Sequence, residues 1–377
     1  MARLARLIDP LHRLRRRLSN RSTPPKGILL VSAGGLGDTV LFSIIAERYA
    51  RLAQTEEPVT VLLRRDGAKT AFCLPDGINV ETVDFGRINS SPNYRWQTFE
   101  RLFKANYRMV VSTDFLRHPF LDEALILAAE ASESAAMVAR PWQKYQAALD
   151  ANESLYTRIF NSGAAQRDKV VRWSDFANWL TDKDEQPPKV QFVKANRQTA
   201  TQPVGREIII QPFSAVAAKQ LDARHYSALI DALPDDLTVR ITGLASDLDA
   251  NPEFNTIIEK QNVTFDSSTF EEICPKLADA ALVVSVDTAM MHLAAALGAP
   301  TLCLASAAYV DEIVPYDAQI CPDNVTFLYQ EMPCQGCLGD CIHPLIDGRY
   351  PCIDALTSEM VISKALEMLQ SSSKSQS

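Results

Sequence analysis

The chain has 377 residues, of which 47% are hydrophobic and 22% charged, a balance that excludes a disordered chain and a membrane-embedded one. Its length fits two ordinary domains better than one. The net charge of -8 gives no reason to expect a nucleic-acid partner.

The charge is unevenly spread. Residues 1–21 hold seven arginines against Asp9, which makes this segment +6 and leaves -14 for the rest. Leu4, Leu7, Ile8, Leu11, Leu14 and Leu18 recur there at helical spacing with arginines between them, and Pro10 kinks or restarts the helix. An Arg face opposite a Leu face is the composition of a helix on an anionic membrane surface. The same composition also serves an amphipathic helix docked on the protein's own surface, or a frayed tail. No stretch approaches the roughly 20 apolar residues of a membrane span, and Arg and His interrupt the apolar runs a secretory signal would need. The expected compartment is therefore the cytosol, with the eight cysteines free, metal-bound or catalytic rather than disulfide-bonded.

From Lys26 an alternation begins. Strands are predicted at Gly27–Ser32, Val59–Leu63 and Arg108–Ser112, with helices at Asp38–Leu52, Trp96–Ala105, Leu121–Ala131 and Gln143–Phe160. Apolar strands alternating with helices indicate a parallel sheet covered on both faces. The stretch 181–206 is polar and carries Pro187, Pro188 and Pro203, so it reads as a linker, with one short strand at Val190–Val193. Strands then resume at Glu207–Gln211, Leu237–Thr242, Val263–Phe265, Leu282–Val286 and Thr301–Leu304. Helices fit Ala223–Leu233, Thr269–Ala280 and Thr288–Leu297. The expected organisation is a basic segment 1–25, an α/β domain 26–180, a linker 181–206 and a second α/β domain 207–370. Two such domains predict a cleft between them, and open α/β sheets bind ligands beyond the carboxyl ends of their strands.

Four segments carry candidate chemistry. In SVDTAMMHLAAALGAP a buried strand ends at Val286, and Asp287 or Thr288 caps a helix whose first amides and dipole favour a phosphate group. His292, one turn in, reads first as a core histidine bonded to a backbone carbonyl, and otherwise as a group placing a phosphate or ribose. In SAGGLGDTVLFS, Gly34, Gly35 and Gly37 allow a tight turn and close approach of a ligand. The spacing is neither the dinucleotide fingerprint nor a P-loop, and Arg64-Arg65 stands where a nicotinamide site would place a carboxylate. Asp38 is either presented by this loop or a first-turn acid complementing the helix dipole. In PFSAVAAK, Lys219 follows a polar loop containing Ser214 and could offset the charge of a diphosphate. Finally, Cys334, Cys337, Cys341 and Cys352 form C-x2-C-x3-C-x10-C, compatible with a structural zinc or iron site, a redox-labile disulfide or packed thiols.

Together, GGLGDTVLFS, the P-F-S…K loop at 212–219 and SVDTAMMHLAAALGAPTLCL resemble glycosyltransferase family 9, the heptosyltransferase-like enzymes, over about Lys26 to Leu366. The resemblance implies a GT-B fold, an α/β architecture of two Rossmann-like domains with parallel sheets facing across a cleft. It implies inverting transfer that needs no metal for catalysis, with an acceptor on the first domain and a nucleotide-sugar donor on the second. By motif, Asp38 would be the general base. Ser214, Lys219, Asp287, Thr288, Ala289 and His292 would serve the nucleotide-sugar, and Gly35, Gly37 and Arg64 an acceptor or phosphate loop. The donor implied is ADP-heptose and the acceptor a lipid-linked or glycan one, placing the protein in the cytoplasm, peripheral on the inner face of the membrane. Ala289 replaces the glycine usual after the D-[TS] pair, and Leu221 the tryptophan frequent after the lysine. The alternatives are another GT-B sugar-nucleotide enzyme such as an epimerase, or a non-catalytic metal-binding interaction protein.

Overall fold

A computed structural model describes residues 6–21, 23–192 and 205–374. Arg3 and Leu4 of the basic segment, Val193 and the linker stretch 193–204, and the last residues of the Ser-rich tail lie outside the described residues.

The chain forms two compact units. One runs to Ala165 and includes Arg172–Gln186; the other comprises Gln166–Val171 and the chain from Pro187 onward. In the first unit, β1 (Ile28–Ser32), β2 (Val59–Arg64), β3 (Ile78–Val83), β4 (Met109–Ser112), β5 (Glu133–Met137) and β6 (Arg158–Phe160) form one parallel sheet in the order 3-2-1-4-5-6. In the second, β7 (Glu207–Gln211), β8 (Thr238–Thr242), β9 (Val263–Asp266), β10 (Leu282–Val286), β11 (Thr301–Leu304) and β12 (Val325–Leu328) form another in the order 12-11-10-7-8-9. Counted within its own unit, the second order is the same as the first. Each sheet is therefore doubly wound, with its strand order reversing between the first and fourth strands. That reversal leaves a crevice at the carboxyl edge, beside β1 and β4 in one unit and β7 and β10 in the other.

The central strands are apolar because helices cover both faces. All five residues of β1 and all five of β10 are buried. In the first unit Leu29, Val31, Leu62 and Val110 pack against Phe99, Leu102, Leu125 and Ile126, supplied by the helices Pro92–Ala105 and Asp122–Ala129. In the second, Ile208, Ile210, Leu282 and Val284 pack with Tyr226, Leu229, Val361 and Ala365, from the helices Ala223–Ala232 and Ser358–Lys374. Burial at about 25 cal/mol per Å² of apolar surface is the main stabilising term in each core.

Two expectations are corrected. The helix predicted over Gln143–Phe160 is only Gln146–Asn152; a turn follows at Glu153–Leu155, and Arg158–Phe160 is the edge strand β6. Pairing of Arg158, Ile159 and Phe160 with Ala135, Ala136 and Met137 outweighs the local helical pattern. Val190 to Phe192 is not a strand; its amides at Val190 and Phe192 bond singly to the carbonyls of Ile320 and Ala296, 2.8 Å in each case. The strand β5 (ESAAM) lacks β-branched residues, and only its neighbours β4 and β6 make it a strand.

Candidate functional site

In the second unit, β10 carries the chain to the carboxyl edge of the sheet, where the helix Ala289–Leu297 begins. Thr288 is the N-cap residue, extended at φ -146° and ψ 173°, but its side chain does not cap the helix. Its Oγ1 lies 3.3 Å from Ser285 Oγ. Asp287 does not cap either. Its Oδ2 is ion-paired with Lys219 Nζ, and its Oδ1 is 3.8 Å from His292 Nε2. The N-cap thus supplies no acceptor to the opening amides, where the helix dipole is positive.

Lys219 comes from the loop after β7, the strand beside β10. Phe213 anchors that loop, its ring 4.9 Å from that of Phe254. The ring lies over Gly243, where a Cβ would stand 2.6 Å from it, so glycine is required for this close approach. Ser214 shapes the turn: its Oγ accepts from the Val216 amide at 3.2 Å and its carbonyl accepts from Gln220 Nε2 at 2.8 Å. A 3-10 turn at Ala217–Lys219 directs the lysine inward, with Nζ 4.3 Å above the centre of the Tyr309 ring. Lys219 is 9% exposed and Asp287 6%. Buried charges are tolerable only when paired, so each of these residues holds the other in place.

His292 is buried and bonds through Nδ1 to Tyr316 Oη at 2.6 Å, and the two rings stack with centroids 5.7 Å apart. Burial pushes the Tyr316 hydroxyl well above its ordinary range, which keeps it a neutral partner. Ala289, buried at the first helical position, presents a methyl group beside the opening amides.

In the first unit, the helix Leu36–Ala50 follows β1. Asp38, half-buried in its first turn, accepts the Gly35 amide through Oδ2 at 2.6 Å. A Cβ on Gly34 would stand 2.4 Å from Asp38 Cβ, whereas one on Gly35 would meet only Asp38 Oδ2, at 3.7 Å. The glycine required by Asp38 is therefore Gly34, and Gly37 lies inside the helix. Arg64, the last residue of β2, is partly exposed and bonds through Nε to Asp66 Oδ2 at 3.0 Å.

Sequence reasoning missed several residues at these edges. Asp114, buried beyond β4, accepts the Ala33 amide through Oδ2 at 2.6 Å and so ties the fourth strand's exit to the first strand's loop. A signal existed: V-V-S-x-D occurs at 110–114 and again at 283–287, on the fourth strand of each unit. Asp122 accepts the His118 amide through Oδ2 at 2.7 Å, and burial pushes its carboxyl up to about 7. Tyr309 and Tyr316 carried no spacing that marks them.

Cys334, Cys337, Cys341 and Cys352 line one pocket with His343 and Tyr350. All four are free thiols. Burial, together with the nearby Cys341 and Cys337, pushes the Cys334 thiol up, and burial pushes Cys352 up. As these side chains stand, no group of three or more His, Cys, Asp or Glu among the described residues is arranged to hold a metal ion. The segment also braces the Lys219 loop. The Tyr350 amide donates to Ala218 O at 2.9 Å, and the Gly336 and Leu338 amides donate to Ala307 and Ala308, next to Tyr309.

Residues 122–339 match the family model of glycosyltransferase family 9 (heptosyltransferase). Among solved structures, a family 9 glycosyl transferase from Veillonella parvula is similar at 16% identity, covering 92% of this chain and 98% of that one with a TM-score of 0.65. The E. coli heptosyltransferase WaaC with ADP-2-deoxy-2-fluoro heptose is similar at 18% identity, covering 90% and 99% with a TM-score of 0.64. The E. coli ADP-heptose lps heptosyltransferase II is similar at 15% identity, covering 92% and 99% with a TM-score of 0.61. A search of curated proteins found no match. At these identities the structural likeness establishes the fold: the GT-B architecture of two Rossmann-like units.

Proposed function

The chain belongs to glycosyltransferase family 9, and from that premise we propose that it transfers a sugar, heptose from ADP-heptose, to a lipopolysaccharide-core or related glycan acceptor with inversion. The observation that carries this reading is the buried Lys219–Asp287 pair beside the opening amides of the helix Ala289–Leu297. It stands where the strand order reverses, the place an α/β sheet offers a nucleotide.

The donor diphosphate would lie against those amides and Lys219, which stabilise the negative charge that grows as the glycosidic bond to phosphate breaks. Asp287 and the Tyr309 ring hold Lys219 for that task. His292 and Tyr316 would line the nucleotide side. In the first unit, Asp38 would accept the proton of the acceptor hydroxyl. The oxygen so activated attacks the anomeric carbon opposite the leaving nucleoside diphosphate, and the configuration inverts. In this reading the positive charge that the leaving group needs comes from Lys219 and the helix amides, without a metal.

The test is transfer by the purified protein from ADP-heptose to a defined core acceptor, beside Asp38→Ala. Turnover by Asp38→Ala should fall by about 10²-fold or more, the usual contribution of a general base, with donor binding retained. Near-normal turnover in Asp38→Ala would overturn the base assignment.

A further inference from the structure

The basic N-terminal helix is docked, but by its polar face. The helix Asp9–Arg17 buries His12 and Arg16, the latter donating to Leu127 O. Asp9 receives a two-pronged bond from buried Arg95, at 2.7 Å for each contact. Arg15 reaches Glu100 at 2.9 Å, and the His12 ring packs edge-on against Trp96 with centroids 4.9 Å apart. Just beyond the helix, Arg21 bonds to the carbonyls of Ala129 and Glu130 at 3.1 and 2.8 Å.

With that face spent, the leucines point outward. Leu7, Leu11, Leu14 and Leu18 are 67%, 61%, 56% and 79% exposed. At roughly 100° per residue they form a single ridge opposite His12 and Arg16. Arg13 and Arg17, both exposed, flank it on one side, and Arg15 on the other. Asp9, the one acidic residue of the segment 6–21, is turned inward to Arg95. This arrangement reverses what makes an ordinary amphipathic helix dock, since the protein binds the polar side and leaves the apolar side in water.

We propose that this ridge is a docking surface for an anionic lipid bilayer, with Leu7, Leu11, Leu14 and Leu18 entering the acyl boundary and Arg13 and Arg17 engaging lipid phosphates. Charge complementarity selects this occupant. An apolar ridge bordered by cations, with its acid turned away, matches a surface that is apolar within and negative at its rim. The ion pairs beneath it hold the helix in the orientation that presents the leucines. The inference concerns a surface of the first unit and stands independently of the proposed reaction.

The test is co-sedimentation of the full chain with vesicles of phosphatidylcholine containing phosphatidylglycerol, and with pure phosphatidylcholine vesicles. Two variants accompany it, Leu11→Ser/Leu14→Ser and Arg13→Glu/Arg17→Glu. The wild type should bind the anionic vesicles and lose binding as salt rises. The leucine variant should bind them about tenfold more weakly or worse, and the arginine variant should lose the preference for anionic lipid. All of these side chains are exposed, so both variants should melt with the wild type. Failure of the wild type to bind anionic vesicles would overturn the proposal, as would equal binding by the leucine variant. It would also be overturned if the leucine variant abolished self-association of a wild type that ignores vesicles, because the ridge would then serve a second copy of the chain.

Discussion

Replacing Lys219 with methionine keeps the stem and removes the cation, leaving the Asp287 carboxylate with its side chain 5% exposed and its ion-pair partner gone. Breaking a buried pair from one side costs about 3–5 kcal/mol. Lys219 retains a little solvent contact, with its side chain 11% exposed, so the lower end, about 3 kcal/mol, is expected. For a unit of this size each kcal/mol lowers the Tm by roughly 2–4 °C, which gives a fall of about 6–12 °C in the transition of the second unit. The double variant Lys219→Met/Asp287→Asn removes both charges and should regain most of that loss, a coupling of about 2 kcal/mol. Differential scanning calorimetry of the wild type, both single variants and the double variant measures the cycle. An unshifted Tm for Lys219→Met, or a double variant as unstable as the sum of the singles, would refute the pairing argument. Donor binding should stay lost in the double variant, because stability is restored there while the cation is not.

Two further outcomes are expected. Gly34→Ala places a methyl group 2.4 Å from Asp38 Cβ, so the turn must shift, at a cost of about 1–3 kcal/mol; thermal melts should show the loss, and transfer should fall as Asp38 moves. Glu57, whose carboxyl the Arg108 hydrogen bonds lower to about 2, contributes stability that is complete above the ordinary carboxylate range and lost as pH falls toward 2. Urea midpoints measured from pH 6 downward should decline over that window, and Glu57→Gln should flatten the decline.

Much of the fold was legible because the central strands announce themselves. ILLVS, VTVLL, EIIIQ and LVVSV are short apolar runs bounded by polar turns, and both parallel sheets require such strands. The edges were harder to read. β3 carries polar residues on its solvent side, β5 is Ser- and Ala-rich, and β6 is three residues long, so their strand character comes from pairing rather than from local pattern. At the site, the sequence placed Asp287 and Thr288 at the start of one helix and Lys219 in the loop before another, and only the family resemblance assigned all three to one donor site. It did not show that Asp287 is engaged by Lys219 instead of capping that helix, since such a contact joins residues 68 positions apart. Asp38 stands in the first turn of its helix, where the local motif put it, and its bond to the Gly35 amide spans three residues. The N-terminal helix shows the opposite failure: its amphipathic pattern was plain, but which face docks depends on Arg95 and Glu100, far away in the chain.

The most direct test of the donor site is the thermal stability of the wild type and of Lys219→Met/Asp287→Asn across a panel of nucleotide-sugars. A ligand bound only by the native state raises its stability by about 2.7 kcal/mol at a hundredfold excess over Kd. ADP-heptose should raise the Tm of the wild type by several degrees and leave the double variant unmoved. Stabilisation of the wild type by a UDP-sugar but not by ADP-heptose, or equal stabilisation of both proteins, would contradict the account.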